Sequence, residues 1–283
     1  MINKACAELM IESSSSWLIG DSTTDIETAQ RAGLKSVLVQ TGYAGKDGKF
    51  RTLPQYEFPS VMEATQFILT SYPKAKAILR KAVLEKKLTP GSIISISGPS
   101  RSGKTHLTSL LRELLLDDAQ SVQVLPLDSW ILPVEQRGPG FTGRHDFASI
   151  EEIVRSLVKR DRPLEVSLPI YDRQTRTRSL DTRKCTIKPE DFVLVEGVTA
   201  GVSLALQEAA HWKVFVNASQ DVRRHRFLQE YRLRGWQEFD SKLLFLEREK
   251  DELPAILATQ GQAEWIFSWD KLEDDLTRRD ILK

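Results

Sequence analysis

The sequence predicts an α/β protein in two parts, the larger one a parallel sheet with helices on both faces. Three observations carry this. Short β-branched or apolar runs alternate with segments of helical spacing along most of the chain. A glycine-rich stretch, Gly98-Pro-Ser-Arg-Ser-Gly103-Lys104-Thr105, stands between one such run and one such segment. Thr89-Pro90-Gly91 punctuates the chain between its two parts.

In order, Ser16–Ile19 reads as a strand closed by Gly20. Asp25 to Ala32 reads as a helix with Ile26, Ala29 and Ala32 on one face and Gly33 as its stop. Ser36–Val39 is the next strand, Gly42 to Tyr56 a loop, and Val61 to Leu69 a closing helix. Residues 74–88 form a polar-faced helix. Beyond it, strands are predicted at Ile93–Ser97, Val122–Leu127, Phe192–Val195, Val214–Asn217 and Trp265–Ser268. Helices are predicted at Thr105–Leu116, Ile150–Val158, Leu204–His211 and Asp221–Leu233. The domains expected are residues 1–71, a linker helix over 72–90, and residues 91–283.

Composition narrows the function classes. The 283 residues are 41% hydrophobic and 28% charged, an ordinary composition with apolar mass for a core. Forty Lys and Arg against 39 Asp and Glu leave a net charge of +1, which excludes a strongly basic nucleic-acid binder. Two cysteines, Cys6 and Cys185, are too few and too far apart for a disulfide framework or a cysteine zinc site. No apolar run approaches the ~20 residues of a membrane span. Lys4, Glu8 and Glu12 interrupt the stretch that an export signal needs apolar. A cytoplasmic protein acting on a small molecule, with no nucleic-acid or membrane partner, is expected.

The glycine-rich stretch fits G-x-x-x-x-G-K-[ST], a P-loop. Gly98, Ser100, Ser102 and Gly103 turn backbone N–H groups toward the phosphates of ATP, and Lys104 reaches the β- and γ-phosphates. The Thr105 hydroxyl is the candidate Mg²⁺ ligand, at a helix N-terminus that favours anions. Phosphoryl transfer also needs metal support and a proton acceptor. Glu196 ends the strand Phe192–Val195 and is the second candidate metal ligand, because open parallel sheets bind ligands at the C-terminal ends of their strands. Asp128 ends another strand and is the candidate general base. Trp130 follows it as a candidate wall of the acceptor pocket. Two groups of arginines complete the set: Arg173, Arg176, Arg178 and Arg183 in a loop-like stretch, and Arg223, Arg224, Arg226, Arg232 and Arg234 on and after the later helix. Guanidinium forks suit phosphate oxygens, and a mobile lid explains the second group.

Residues 91–283 resemble the uridine kinase/phosphoribulokinase family of P-loop kinases. The matching stretches are Ile96 to Thr105, Leu127-Asp-Ser-Trp130, His145-Asp-Phe147, Pro169-Ile-Tyr-Asp172, Arg176-Thr-Arg178, Val195-Glu-Gly197, and Asp221 through Gly235. The resemblance implies that Asp128 is the catalytic aspartate. It places Asp146 and Tyr171 at the acceptor, and Arg223, Arg226 and Arg232 or Arg234 in a lid on the ATP phosphates. This chain departs from the family at Trp130, where uridine kinases carry Tyr, at Arg176 for a His that touches the nucleoside, and at Arg173 for an apolar residue. The extra arginines suggest a more anionic acceptor, such as a sugar phosphate.

The first part resembles the last conserved motif of haloacid dehalogenase (HAD)-type phosphatases, nearest the histidinol-phosphate and heptose-bisphosphate branch. The residues that carry this are Trp17 to Ile26, Ala32-Gly33 and Val37 to Gly42. The resemblance implies a partial, Rossmann-like α/β segment in which Asp21 and Asp25 are the family's Mg²⁺ ligands. A helix N-cap and a first-turn acid explain those two residues nearly as well. The family's nucleophilic Asp-x-Asp strand has no counterpart in residues 1–15, so phosphatase activity is not expected of these residues. The function expected is an ATP- and Mg²⁺-dependent kinase acting on a hydroxyl of a nucleoside, sugar or sugar phosphate. An ATP-binding regulator and a truncated bifunctional phosphatase–kinase stay open as alternatives.

Overall fold

The computed structural model describes residues 1–50, 52–117, 120–172 and 176–272. The chain forms two compact units. The first comprises Met1–Lys74 with Gln229–Trp236, and the second Ala75–Leu228 with Gln237–Lys283. Among the described residues no helix is long and apolar enough to cross a membrane.

The first unit starts with helix α1 (Ile2–Glu8) and contains strands β1 (Trp17–Gly20), β2 (Lys35–Val39) and β3 (Tyr56–Phe58), all parallel in the order β1-β2-β3. Helix α2 (Thr23–Arg31) makes the first crossover. It begins at a capping box, in which the Ser22 side chain accepts from the Asp25 N–H and Asp25 accepts from the Ser22 N–H, and it buries Ile26 and Ala29. Trp17, Tyr56, Phe67 and Tyr72 pack as tilted and edge-on rings that fill this small core. Two expectations need correction here. The 42–56 loop ends in β3, a strand too short to show a period. The closing helix α3 (Val61–Gln66) gives way to a π-helical turn, Phe67–Ser71, before α4 (Tyr72–Lys86).

The second unit holds β4 (Ile93–Ser97), β5 (Val122–Pro126), β8 (Phe192–Glu196), β9 (Trp212–Asn217) and β10 (Trp265–Ser268). They form one parallel sheet in the order β10-β9-β4-β8-β5. β4 and β8 are buried at every position, as strands covered on both faces must be. Helix α5 (Lys104–Asp117) shows why its sequence folds so: Leu107, Leu110, Leu111, Leu114 and Leu115 recur at helical spacing, and all are buried. α6 (Phe147–Val158) starts at Asp146, whose side chain accepts from the Ser149 N–H, and buries Ile150, Val154 and Leu157. α7 (Leu204–Ala209) is capped by Ser203. α8 (Gln220–Leu233), α9 (Glu238–Asp251) and α10 (Leu253–Ala258) follow.

One correction matters for the site. The arginine-rich stretch read as loop-like lies largely in an antiparallel pair, β6 (Leu164–Asp172) with β7 (Thr177–Ile187). Most of β7 is exposed and polar, so no apolar period announces it. Its pairing rests on the backbone ladder and on Val166, Leu168 and Ile187, which join the core cluster of Leu127, Ile150 and Val195.

Candidate active site

The chain leaves β4 toward β5 on one side of the sheet, and β9 later joins β4 on the other. β4 is therefore the point where strand order reverses, and ligands of open parallel sheets bind beyond such a strand. The P-loop starts there. At Gly98 (φ +138°) a Cβ would lie 2.1 Å from the Val216 carbonyl oxygen, so only glycine allows this approach of β4 to β9. At Gly103 (φ +93°) a Cβ would strike the Trp269 ring at 2.5 Å, and the Trp269 indole N–H donates to the Gly103 carbonyl at 3.2 Å. The residue that follows the edge strand β10 thus buttresses the loop. Ser102 is fully buried, whereas Ser100 lies on the rim of a cleft lined by Arg223, Arg248 and Glu252.

Lys104 is buried and folds back under the loop. Its Nζ donates to the carbonyls of Gly98 (3.0 Å) and Pro99 (2.8 Å). Burial pushes this ammonium down to about 8, against the opposing pull of the Asp128 and Glu196 carboxylates. The carbonyls are weak partners that a phosphate would replace. Because the charged form binds anions and the bound phosphate raises its pKa, ATP affinity is expected to fall as pH rises above about 8. Binding is then accompanied by proton uptake, which calorimetry in buffers of different ionisation enthalpy measures. A flat affinity from pH 7 to 9.5 would contradict this reading of Lys104.

Glu196 ends β8 beside the loop. Its two oxygens accept from the Thr105 hydroxyl (3.3 Å) and the Thr108 hydroxyl (3.2 Å), both on α5. Burial raises its pKa, and the nearby Asp128 charge adds to the rise. Asp128 sits in the 3₁₀ turn Leu127–Trp130 that follows β5. Gly197 makes room for it: a Cβ there would lie 3.0 Å from the Leu127 Cβ and 3.4 Å from Asp128 Oδ1. Lys104, Asp128 and Glu196 thus gather at the C-terminal ends of β4, β5 and β8 and influence one another electrostatically. Thr105 and Glu196 offer hard oxygen donors side by side, a set that suits Mg²⁺.

The remaining predicted residues distribute as follows. Trp130 is 5% exposed and packs in the core with Leu125, Ile150 and Leu168, so its ring is structural packing. Asp146 caps α6, accepting from Ser149 N (3.2 Å) and Oγ (2.9 Å). Tyr171 and Arg178 face each other across β6 and β7. Arg176 has φ +61° at the hairpin, and Arg173 lies outside the described residues. Arg223 is 4% exposed, and both its terminal nitrogens grip the Glu249 carboxylate, the longer bond 2.9 Å. Arg226 donates to the Arg101 carbonyl of the P-loop at 3.1 Å. Arg234 belongs to the first unit, where it pairs with Glu230 and covers the Tyr231 ring; Arg232 is exposed in the same segment. In the first unit, Asp21 accepts from the Tyr43 N–H (2.8 Å) and Asp25 is held in its capping box. Gly42 and Gly20 lack the Cβ that would collide with them. Each of these carboxylates meets a backbone N–H through one of its oxygens. Burial pushes the Cys185 thiol up, against the activation that its basic neighbours suggest.

Sequence reasoning passed over Arg137, Arg144 and Arg248, and gave no contact for Arg101 or His145. Arg137 donates to Tyr171 Oη at 2.6 Å. Arg144 pairs with Asp251 and Glu252 at the junction of α9 and α10. Arg101 and Arg248 both lie over the Phe227 ring. His145 is buried edge-on to Phe141 and Phe147, its Nδ1 facing the Phe141 carbonyl. The only local signal for Arg137 is its place ahead of Gly138-Pro-Gly140.

Both parts of the chain are similar to known proteins. The fold is that of P-loop proteins: the solved structure of a candidate fructose transport system kinase from Silicibacter sp. TM1040 superposes with a TM-score of 0.54 at 19% identity, over 68% of this chain and 98% of that one. More particularly, the region is distantly similar to uridine kinases. That of Leuconostoc citreum is 28% identical over 142 residues, 48% of this chain and 67% of that protein. That of Staphylococcus carnosus is 28% identical over 152 residues, 51% of this chain and 70% of that protein. Residues 1–64 match the family model for HAD-hydrolase-like proteins. The chain therefore joins an N-terminal HAD-like fragment to a uridine kinase-like P-loop kinase region.

Proposed function

We propose that this protein is a cytoplasmic, ATP-dependent phosphotransferase that moves the γ-phosphoryl group onto a hydroxyl of a small metabolite. The observation that carries the reading is the convergence of Lys104, Asp128 and Glu196 at the C-terminal ends of β4, β5 and β8, beside the P-loop. Loop amides and Lys104 hold the phosphates and oppose the charge that grows on them during transfer. Asp128 orients the acceptor hydroxyl and takes its proton as the new O–P bond forms. The bond between the γ-phosphorus and the β–γ bridging oxygen breaks, and ADP leaves with that oxygen. Thr105 and Glu196 would hold Mg²⁺, which when bound supplies charge neutralisation on the phosphates. Thr108 keeps Glu196 turned toward Thr105.

The cleft beside the loop carries Arg223 and Arg248, with Glu249 and Glu252 as their counter-charges. Release of Arg223 from Glu249 would free a guanidinium for phosphate as the site closes. ADP release from ATP and Mg²⁺ across nucleosides, sugars and sugar phosphates tests the proposal. At least one acceptor class should raise the rate well above the acceptor-free level. Tight ATP binding with an ADP rate that no acceptor alters would oppose it.

A further inference from the structure

We infer that the acceptor carries an oxyanion, a phosphate monoester or a carboxylate, held by Arg137 and Arg178; this rests on the phosphotransferase reading above. The loop between the Asp128 turn and α6 is closed on itself. Gly138 N–H donates to the Gly143 carbonyl at 2.9 Å, a Cβ on Gly143 would lie 2.4 Å from the Gly138 carbonyl carbon, and Ile131 bridges to His145. Arg137 and Arg144 flank this pinch and meet different fates. Arg144 is neutralised by Asp251 and Glu252. Arg137 donates only to neutral oxygens, the Leu132 carbonyl (2.9 Å) and Tyr171 Oη (2.6 Å), and has no carboxylate partner among the described residues.

Arg178 is the cross-strand partner of Tyr171, the residue to which Arg137 donates. Its Nε donates to the Ile131 carbonyl at 3.0 Å, so the two guanidiniums are anchored on successive carbonyls of one segment. Its Nη2 is buried with no hydrogen-bond partner among the described residues. The carboxylate that approaches it, Asp146, is 3.9 Å from Nη1 and is already engaged in capping α6. Arg178 thus has one distant and committed carboxylate, and Arg137 has none among the described residues. A buried guanidinium N–H without an acceptor is costly, and a planar fork that lacks a partner matches a two-oxygen anion. The segment continues directly from the catalytic turn, since the Ile131 N–H donates to the Asp128 carbonyl at 3.3 Å. An anion held there belongs to a molecule whose hydroxyl lies at Asp128.

The test compares matched acceptors on the full chain: sugars with their phosphates, and short hydroxy acids with their amides. Each charged member should exceed its neutral partner about 100-fold in kcat/KM if two charge-assisted contacts are lost with the anion. Whether phosphates or carboxylates respond tells the source of the charge. Arg137→Gln should lower kcat/KM for the charged acceptor 10-fold or more through KM, with the KM for ATP within twofold; Arg137→Lys should recover part of the loss. In parallel, thermal melts with a non-hydrolysable ATP analogue saturating the P-loop read inorganic phosphate alone. Phosphate should raise the melting temperature of the wild type and not of Arg178→Gln. Equal turnover of neutral and charged acceptors, or no phosphate-dependent shift, would overturn the inference and leave the kinase reading standing. Phosphate protection without turnover of any acceptor would keep the anion site and count against the kinase reading.

Discussion

Asp128→Asn is expected to lower phosphoryl transfer by about 10²–10⁴-fold while leaving ATP binding intact. The amide is isosteric with the carboxylate, so the 3₁₀ turn and the space that Gly197 provides are undisturbed. It takes no proton from the acceptor, and the hydroxyl must attack without a base. The effect on ATP should have the opposite sign. Asp128 adds to the rise in the pKa of Glu196 and stabilises the charge on Lys104, so its negative field already acts where the phosphates bind. Removing it relieves repulsion toward an anionic nucleotide, and ATP should bind as tightly as before or a few-fold tighter. This split of kcat against the dissociation constant, read by steady-state kinetics and equilibrium titration, separates a base from a structural aspartate. Parallel loss of both would mean that Asp128 only shapes the loop.

Lys104→Ala comes next in size, with an expected loss on the order of 10²–10⁴ in kcat/KM, the range for an electrostatic contact aimed at developing charge. Here ATP binding should weaken as well, because the ammonium meets the phosphates before and during transfer. The variant also strips the Gly98 and Pro99 carbonyls of their donor and leaves two neighbouring carboxylates without their cation. Glu196 should then titrate higher still, and the fall in affinity above about pH 8 predicted for the wild type should vanish. Lys104→Met keeps most of the packing volume and distinguishes lost charge from a collapsed loop. Near-normal turnover by either variant would remove Lys104 from the mechanism.

Much of this site was legible because strand–loop–helix grammar is local. The buried run Ile93–Ser97, the two glycines that only close approach explains, and the leucine stripe of α5 all lie within two dozen residues. Asp128 and Glu196 were legible for another reason: each follows an apolar strand, and a parallel sheet brings such ends to one edge. What escaped has equally physical causes. β7 is paired through its backbone and exposes most of its polar side chains, so its arginines read as a loop. α9 buries only Ser241 and Phe245, one turn apart, which leaves almost no stripe to read. Trp130 reads as a pocket wall because an aromatic after a strand-end aspartate has two uses, and only the packing shows that it faces the core. Arg137 acquires its meaning from Tyr171, which lies 34 residues away in sequence.

The role of the first unit follows the same logic. Residues 1–64 match the HAD-hydrolase-like family, yet Asp21 and Asp25 are tied to backbone amides and a helix cap in a fold held by the Trp17, Tyr56 and Tyr72 rings. Each of these carboxylates accepts a backbone N–H through one oxygen, which gives it a local structural use.

The most direct test of the central claim follows the γ-phosphorus itself. ATP labelled at that position is incubated with Mg²⁺, the protein and a small-molecule extract, and the products are separated. The label should move to a small acceptor with the wild type, and to none with Asp128→Asn or Lys104→Ala. Label that stays in ATP, or appears only as inorganic phosphate, would contradict a phosphotransferase and leave a nucleotide-binding protein in its place.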